Sequence, residues 1–159
     1  MPTVAEIRDY RNSRLYRLLT RTLRVYNRRM LEGMHARGFT DMSPGFFPIL
    51  SNLDTEGTRI GVLATRGGVT RQAAGQLIRE IAKLGYVELK PWSDDARVTM
   101  VYFTARGRKL LAAVFEIVNE IEGDFEAVLK KAEFNKLRGG LRKIADAVDP
   151  EGTFGSVDE

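Results

Sequence analysis

At Gly85 the hydrophobic period of the chain changes, and that switch limits the possible folds more than any other feature. Through residues 70–84 the apolar side chains recur every three or four positions, as on one face of a helix. From Tyr86 they alternate: Tyr86-Val87-Glu88-Leu89-Lys90 and Val98-Thr99-Met100-Val101-Tyr102-Phe103 have the two-residue period of strands and pair as an antiparallel hairpin. Upstream, Val62, Leu63 and Ala64 lie in a short helix ended by Arg66-Gly67-Gly68, and Thr70 is placed to cap a second helix that stops at Gly85. Two short helices about a glycine turn form a helix-turn-helix. Followed directly by a hairpin, they form its winged variant.

The second helix has two unlike faces. Ala73, Ala74, Leu77, Ile81 and Leu84 cluster on one side, and Arg71, Gln72, Gly75, Gln76, Arg79 and Lys83 on the other, with Glu80 at the edge. Glutamine amides can bond adenine edges in bidentate fashion, and arginine can address guanine or phosphate. Gly75 leaves room for close approach of the backbone.

The flanking segments are expected to be helical. Residues 3–37 form one long helix, with Thr3 and Glu6 at capping-box spacing and Gly38 as its stop. Leu15, Leu18, Leu19, Thr22, Leu23, Tyr26 and Met30 make its apolar face. Arg14, Arg17, Arg21, Arg24 and Arg28 make a stripe opposite, within a sector of roughly 80°. A second helix starts at Ser43 as N-cap with Pro44 at its first position. Phe46, Phe47, Ile49, Leu50 and Leu53 form its buried side, and Pro48 delays or kinks it. Thr58-Arg59-Ile60 has the character of a very short strand. After Thr104, Leu111, Val114, Val118, Ile121, Phe125 and Val128 repeat as a heptad-like seam, and Phe134, Leu137, Leu141, Ile144 and Val148 continue it on a last helix. Gly123 and Gly139-Gly140 weaken these helices by about 1 kcal/mol each.

Composition removes whole classes of chemistry. The 159 residues contain no cysteine and a single histidine, His35. Disulfides, thiolate metal sites and histidine-based catalytic triads therefore have nothing to build from. The carboxylate groups Asp94-Asp95 and Glu120, Glu122 and Asp124 have no histidine or glycine-rich phosphate loop beside them, so structural roles are expected. His35 reads as a surface or interface residue. No enzyme activity, metal or cofactor is expected. Net charge is +4, and residues 1–80 carry 13 basic and 7 acidic side chains, which suggests an acidic partner such as nucleic acid. The opening segment MPTVAEIRDY lacks an apolar core, and no run approaches a membrane span, so no membrane partner and a cytoplasmic location are expected.

The stretch Leu63-Ala64, Gly68-Val69-Thr70-Arg71-Gln72-Ala73-Ala74-Gly75-Gln76-Leu77 and Leu84-Gly85-Tyr86-Val87 resembles the DNA-binding core of MarR-type regulators. Asp95-x-Arg97, followed by Phe103-Thr104-x-x-Gly107, is similar to that family's wing and its exit into the next helix. The resemblance spans roughly residues 10–148, and Pro91-Trp92 departs from it where more charge is usual. It implies a mainly α fold with a small β-hairpin (α+β), a winged helix-turn-helix flanked by N- and C-terminal dimerisation helices. In these terms residues 1–150 are a single domain: 3–38 and 105–149 are the helical dimerisation platform, 43–104 the DNA-binding part, and 151–159 a flexible tail.

The implied function is a sequence-specific, ligand-responsive transcription regulator, most often a repressor in that family. It would bind a pseudo-palindromic double-stranded DNA operator as a homodimer, with a small aromatic effector between platform and reading head at residues the sequence does not identify. The candidate DNA contacts are Ser43, Thr70, Arg71, Gln72, Gly75, Gln76, Arg79, Lys83 and Arg97. The resemblance implies that Asp95 supports Arg97 by a salt bridge. The absence of cysteine excludes thiol-based peroxide sensing. The alternative is a non-specific architectural DNA-binding protein that uses the Arg14–Arg28 stripe.

Overall fold

The computed structural model describes residues 3–93, 95, 97–150 and 152–153. The expected tail, 151–159, lies outside them except for Gly152 and Thr153, as do Asp94 and Ala96 of the wing.

The chain begins with α1, Val4–Ser13, and α2, Leu15–Ala36. The capping box at Thr3 and Glu6 is present in both directions, at 3.2 Å and 2.7 Å. The single helix expected over 3–37 is, however, broken at Arg14, whose ψ of 137° is extended. Asn12 and Ser13 are weak helix formers just before the break. At the break the Arg14 guanidinium lies 3.9 Å over the Tyr10 ring. Gly38 and Gly85 stop their helices as expected, at φ of 90° and 79°.

Pro48 has the anticipated effect. A 3-10 turn, Pro44–Phe46, precedes the four-residue α3, Phe47–Leu50, and Ser43 Oγ accepts from Gly45 N at 3.4 Å. Then come β1, Thr58–Arg59, α4, Ile60–Arg66, α5, Arg71–Lys83, β2, Val87–Pro91, and β3, Thr99–Phe103. The strands form an antiparallel sheet in the order β1-β3-β2, with Thr58 opposite Val101 and Val87 opposite Phe103. Two long helices close the chain: α6, Ala105–Leu129, and α7, Lys131–Val148.

One core joins the two halves. Met30 and Met34 of α2 pack with Met42, Phe46, Ile49, Leu63, Ala74, Ile78, Ile81, Tyr86, Val101, Phe103, Leu110 and Ile117. Ile78 is fully buried, an inward position missing from the sequence reading of α5. Helix α6 enters beneath the wing at Gly107, where an added Cβ would lie 2.1 Å from the Tyr86 carbonyl oxygen, so only glycine fits.

The seam expected on α6 is rotated. The buried stripe is Gly107, Leu110, Ala113, Ile117 and Ile121, while Leu111, Val114, Val118 and Phe125 lie on its flank, and Val128 is exposed. The stripe follows α2, against which α6 runs antiparallel: Tyr26 meets Phe125, Gly33 meets Ile117, and Arg37 pairs with Glu116 and Glu120. On α7 only Phe134 of the expected row is buried; Leu137, Leu141, Ile144 and Val148 face outward.

Candidate nucleic-acid interface

The helix-turn-helix is built locally. Gly68 turns at a φ of 63°, Val69 N bonds the Ala64 carbonyl at 3.0 Å, and Thr70 Oγ1 caps α5 by accepting from Ala73 N at 3.1 Å. The inner face of α5 is held by Ala74, Ile78 and Ile81. Arg71, Gln72, Gln76, Arg79 and Lys83 are all exposed on the outer face, with Gly75 half-buried between them. The Pro44–Phe46 turn packs against α5, which brings the Ser43 segment to the same region. Glu80 does more than border this face: it accepts from Gln76 Nε2 at 3.2 Å and so orients the amide.

In the wing, Arg97 donates from Nε to Asp95 Oδ1 at 3.1 Å and from Nη2 to Oδ2 at 3.4 Å, and Asp95 Oδ1 also accepts from Arg97 N at 3.0 Å. These bonds from Arg97 hold the Asp95 carboxyl below its usual range. The Arg97 side chain is 92% exposed and that of Asp95 34% exposed, so the cation is presented and the carboxylate sits behind it. Trp92 is half-buried under the Arg59 guanidinium, which lies 4.6 Å from its ring centroid. Removal of Asp95 therefore separates two effects. Asp95→Ala should weaken binding to duplex DNA severalfold, since Arg97 loses its support, although deleting a negative charge alone would strengthen it. Fluorescence anisotropy with a labelled duplex measures the sign.

Sequence reasoning missed two polar junctions that carry this interface. In the first, Arg66 Nη1 meets both Asp54 oxygens at 2.8 and 2.9 Å, and Asp54 Oδ2 accepts from Thr58 Oγ1 at 2.8 Å, which ties α4 to β1. In the second, Asp41 accepts from the Tyr86 hydroxyl and from Arg106 Nη2 at 2.9 and 3.1 Å, while Arg106 lies 4.2 Å over the Tyr86 ring. It joins the loop after α2, the root of the wing and the start of α6.

Burial, then the bond to Asp41, pushes the Tyr86 phenol up to about 12. Burial alone would raise Asp41, but the bonds from Tyr86 and Arg106 overcome it and hold that carboxyl below 3.8. The signs are opposite. The phenol's contribution to stability is complete below pH 10 and is lost as pH rises through about 12; the carboxylate's is complete above about pH 4 and is lost as pH falls through its depressed value. Chemical unfolding across alkaline pH should show a loss in the native chain that Tyr86→Phe lacks.

The other candidate groups are structural. His35 Nε2 is 3.0 Å from the Met42 carbonyl oxygen, Asp124 pairs with Arg29, and Glu122 lies 3.8 Å from Arg138. Among the described residues no cluster of histidine, cysteine or carboxylates is placed to hold a metal ion, and no helix is long and apolar enough to cross a membrane.

A helix-turn-helix whose second helix exposes a polar face, with a β-hairpin wing beside it, defines the winged helix-turn-helix class. No family model matches the sequence, and no curated protein matches it. Solved structures do. A MarR transcriptional regulator from Methanosarcina mazei Go1 superposes with a TM-score of 0.71 at 17% identity, over 84% of this chain and 94% of that one. The transcriptional regulator BldR from Sulfolobus solfataricus gives 0.64 at 22% identity over 92% and 99%. CouR from Rhodococcus jostii RHA1, solved with p-coumaroyl-CoA bound, gives 0.68 at 19% over 84% and 93%. The fold is the MarR winged-helix fold.

Proposed function

We propose that this protein is a sequence-specific DNA-binding transcriptional regulator, working as a homodimer on a pseudo-palindromic operator. The observation that carries the reading is the outer face of α5, where Gln72, Gln76, Arg71, Arg79 and Lys83 stand exposed together on a buried apolar base. Gln72 and Gln76 read bases, Arg71, Arg79 and Lys83 contact guanine or phosphate, and Ser43 and Thr70 offer hydroxyls to phosphate. Gly75 lets the backbone approach the groove, and Arg97, supported by Asp95, enters the adjacent minor groove. Residues 43–104 are the reading head, and 3–38 with 105–149 the platform. The role is on DNA with no enzymatic step, and the cytoplasm is its site.

The dimer is supported by two apolar rows that the single chain leaves uncovered. Leu15, Leu18, Leu19 and Leu23 are 42–59% exposed on α2, and Leu137, Leu141, Ile144 and Val148 are 38–76% exposed on α7. Exposed apolar area on that scale marks an interaction surface. CouR's bound p-coumaroyl-CoA supports a small, ring-bearing effector and hence a ligand-released repressor.

Selection of binding sites from a random duplex library tests the reading. The expected product is an inverted repeat with half-sites about one helical turn apart. Recovery of no sequence preference would favour the architectural alternative, for which the Arg14–Arg28 stripe is the supporting feature.

A further inference from the structure

The arginines of α2 divide into two groups. Those on its C-terminal half are paired, as is Arg37 just past its end: Arg28 lies 3.9 Å from Glu32, Arg29 pairs with Asp124, and Arg37 reaches Glu120 at 2.6 Å and Glu116 at 3.5 Å. Those on its N-terminal half are not. Arg17, Arg21 and Arg24 meet no carboxylate within salt-bridge distance among the described residues. They line an open groove of about 1020 Å³ beside the α1–α2 break, together with Tyr10, Arg14 and Tyr16, and Leu18 of the apolar row assigned to the dimer borders it. None of the described residues lining it is acidic.

Arg17, Arg21 and Arg24 are exposed on successive turns of α2, and their planar forks match phosphate oxygens. The groove also offers a ring: Tyr16 is 77% exposed at its wall. Its volume, just above the roughly 300–1,000 Å³ usual for small-molecule sites, admits a nucleotide-sized ligand. A DNA backbone is the less suitable occupant. The C-terminal end of α2 is the part fixed to the reading head, through Met34 and the His35–Met42 contact. Arg21 lies roughly 20 Å further along the axis at about 1.5 Å per residue. Helix α1 packs on α2, away from α5 and the wing.

We propose that this groove binds a phosphorylated, ring-bearing organic anion of the nucleotide class. Arg17, Arg21 and Arg24 hold the phosphates, and Tyr16 stacks on the ring. The site stands on its own observations and does not require that α5 read DNA.

Calorimetric titration of the full-length protein with ATP and with inorganic pyrophosphate tests it. Both probes should bind, ATP more tightly, and both more weakly as salt rises. Arg17→Gln, Arg21→Gln and Arg24→Gln should each weaken both probes about tenfold. Arg21→Lys should fall between, and Tyr16→Ala should weaken ATP while sparing pyrophosphate. Circular dichroism, sedimentation and binding to a random-sequence duplex without probe should stay as in the native protein. The proposal is overturned if neither probe binds or if the triple glutamine variant binds both normally. It is also overturned if that variant becomes monomeric, which would assign the arginines to a contact between copies, or loses duplex affinity, which would assign them to DNA.

Discussion

Replacing Leu141 and Ile144 together by glutamate should give a folded monomer whose operator affinity is about 10²–10⁴-fold below that of the native protein. Both side chains lie on α7 and are already 38% and 54% exposed in the single chain, so the change removes little from its own core. In a dimer that covers this row the same positions would carry buried charge, which is strongly unfavourable. In the proposed dimer each protomer presents one α5 face to DNA, and joining two makes the second binding event intramolecular. Loss of the partner removes that advantage without altering any DNA contact. Sedimentation and anisotropy on one sample measure both effects, and melting confirms that the monomer remains folded.

The second large effect is expected at Gln76. Gln76→Ala should cost about 1–3 kcal/mol on the operator and relax base choice at one position in each half-site. The amide donates to Glu80 Oε1, a bond that restrains its orientation and leaves its carbonyl oxygen and second N–H available to a base edge. Glu80→Ala should therefore blur discrimination at that same position while affinity for random duplex rises, because a carboxylate leaves the surface. The two variants together distinguish base reading from simple electrostatics, which would have Gln76→Ala neutral.

Much of the reading head was legible in the sequence because its determinants are local. Thr70 caps α5, Gly68 and Gly85 punctuate it, and the period switch at Gly85 announces the wing; all act over a few residues. Asp95 and Arg97, two positions apart, are also a local pair. The misses depend on tertiary context. Helix periodicity cannot see the break at Arg14, where the two weak helix formers Asn12 and Ser13 precede an extended residue without disturbing the apolar repeat. The α6 stripe is offset from the heptad-like row because it is set by where α2 lies, not by the helix itself. The Asp41–Tyr86–Arg106 junction joins residues 45 and 65 positions apart, a separation that no local pattern encodes. Ile78 was overlooked although it falls one turn after Ala74, within the same row.

The central claim is that the α5 face and wing read sequence, and its most direct measurement compares the selected operator with a random duplex of equal length over a salt series. The account predicts affinity for the operator higher by about 10³-fold or more, with a preference that persists as salt rises and collapses in Gln72→Ala and Gln76→Ala. Equal affinity for the two duplexes at every salt concentration, with both variants indistinguishable from the native protein, would contradict it.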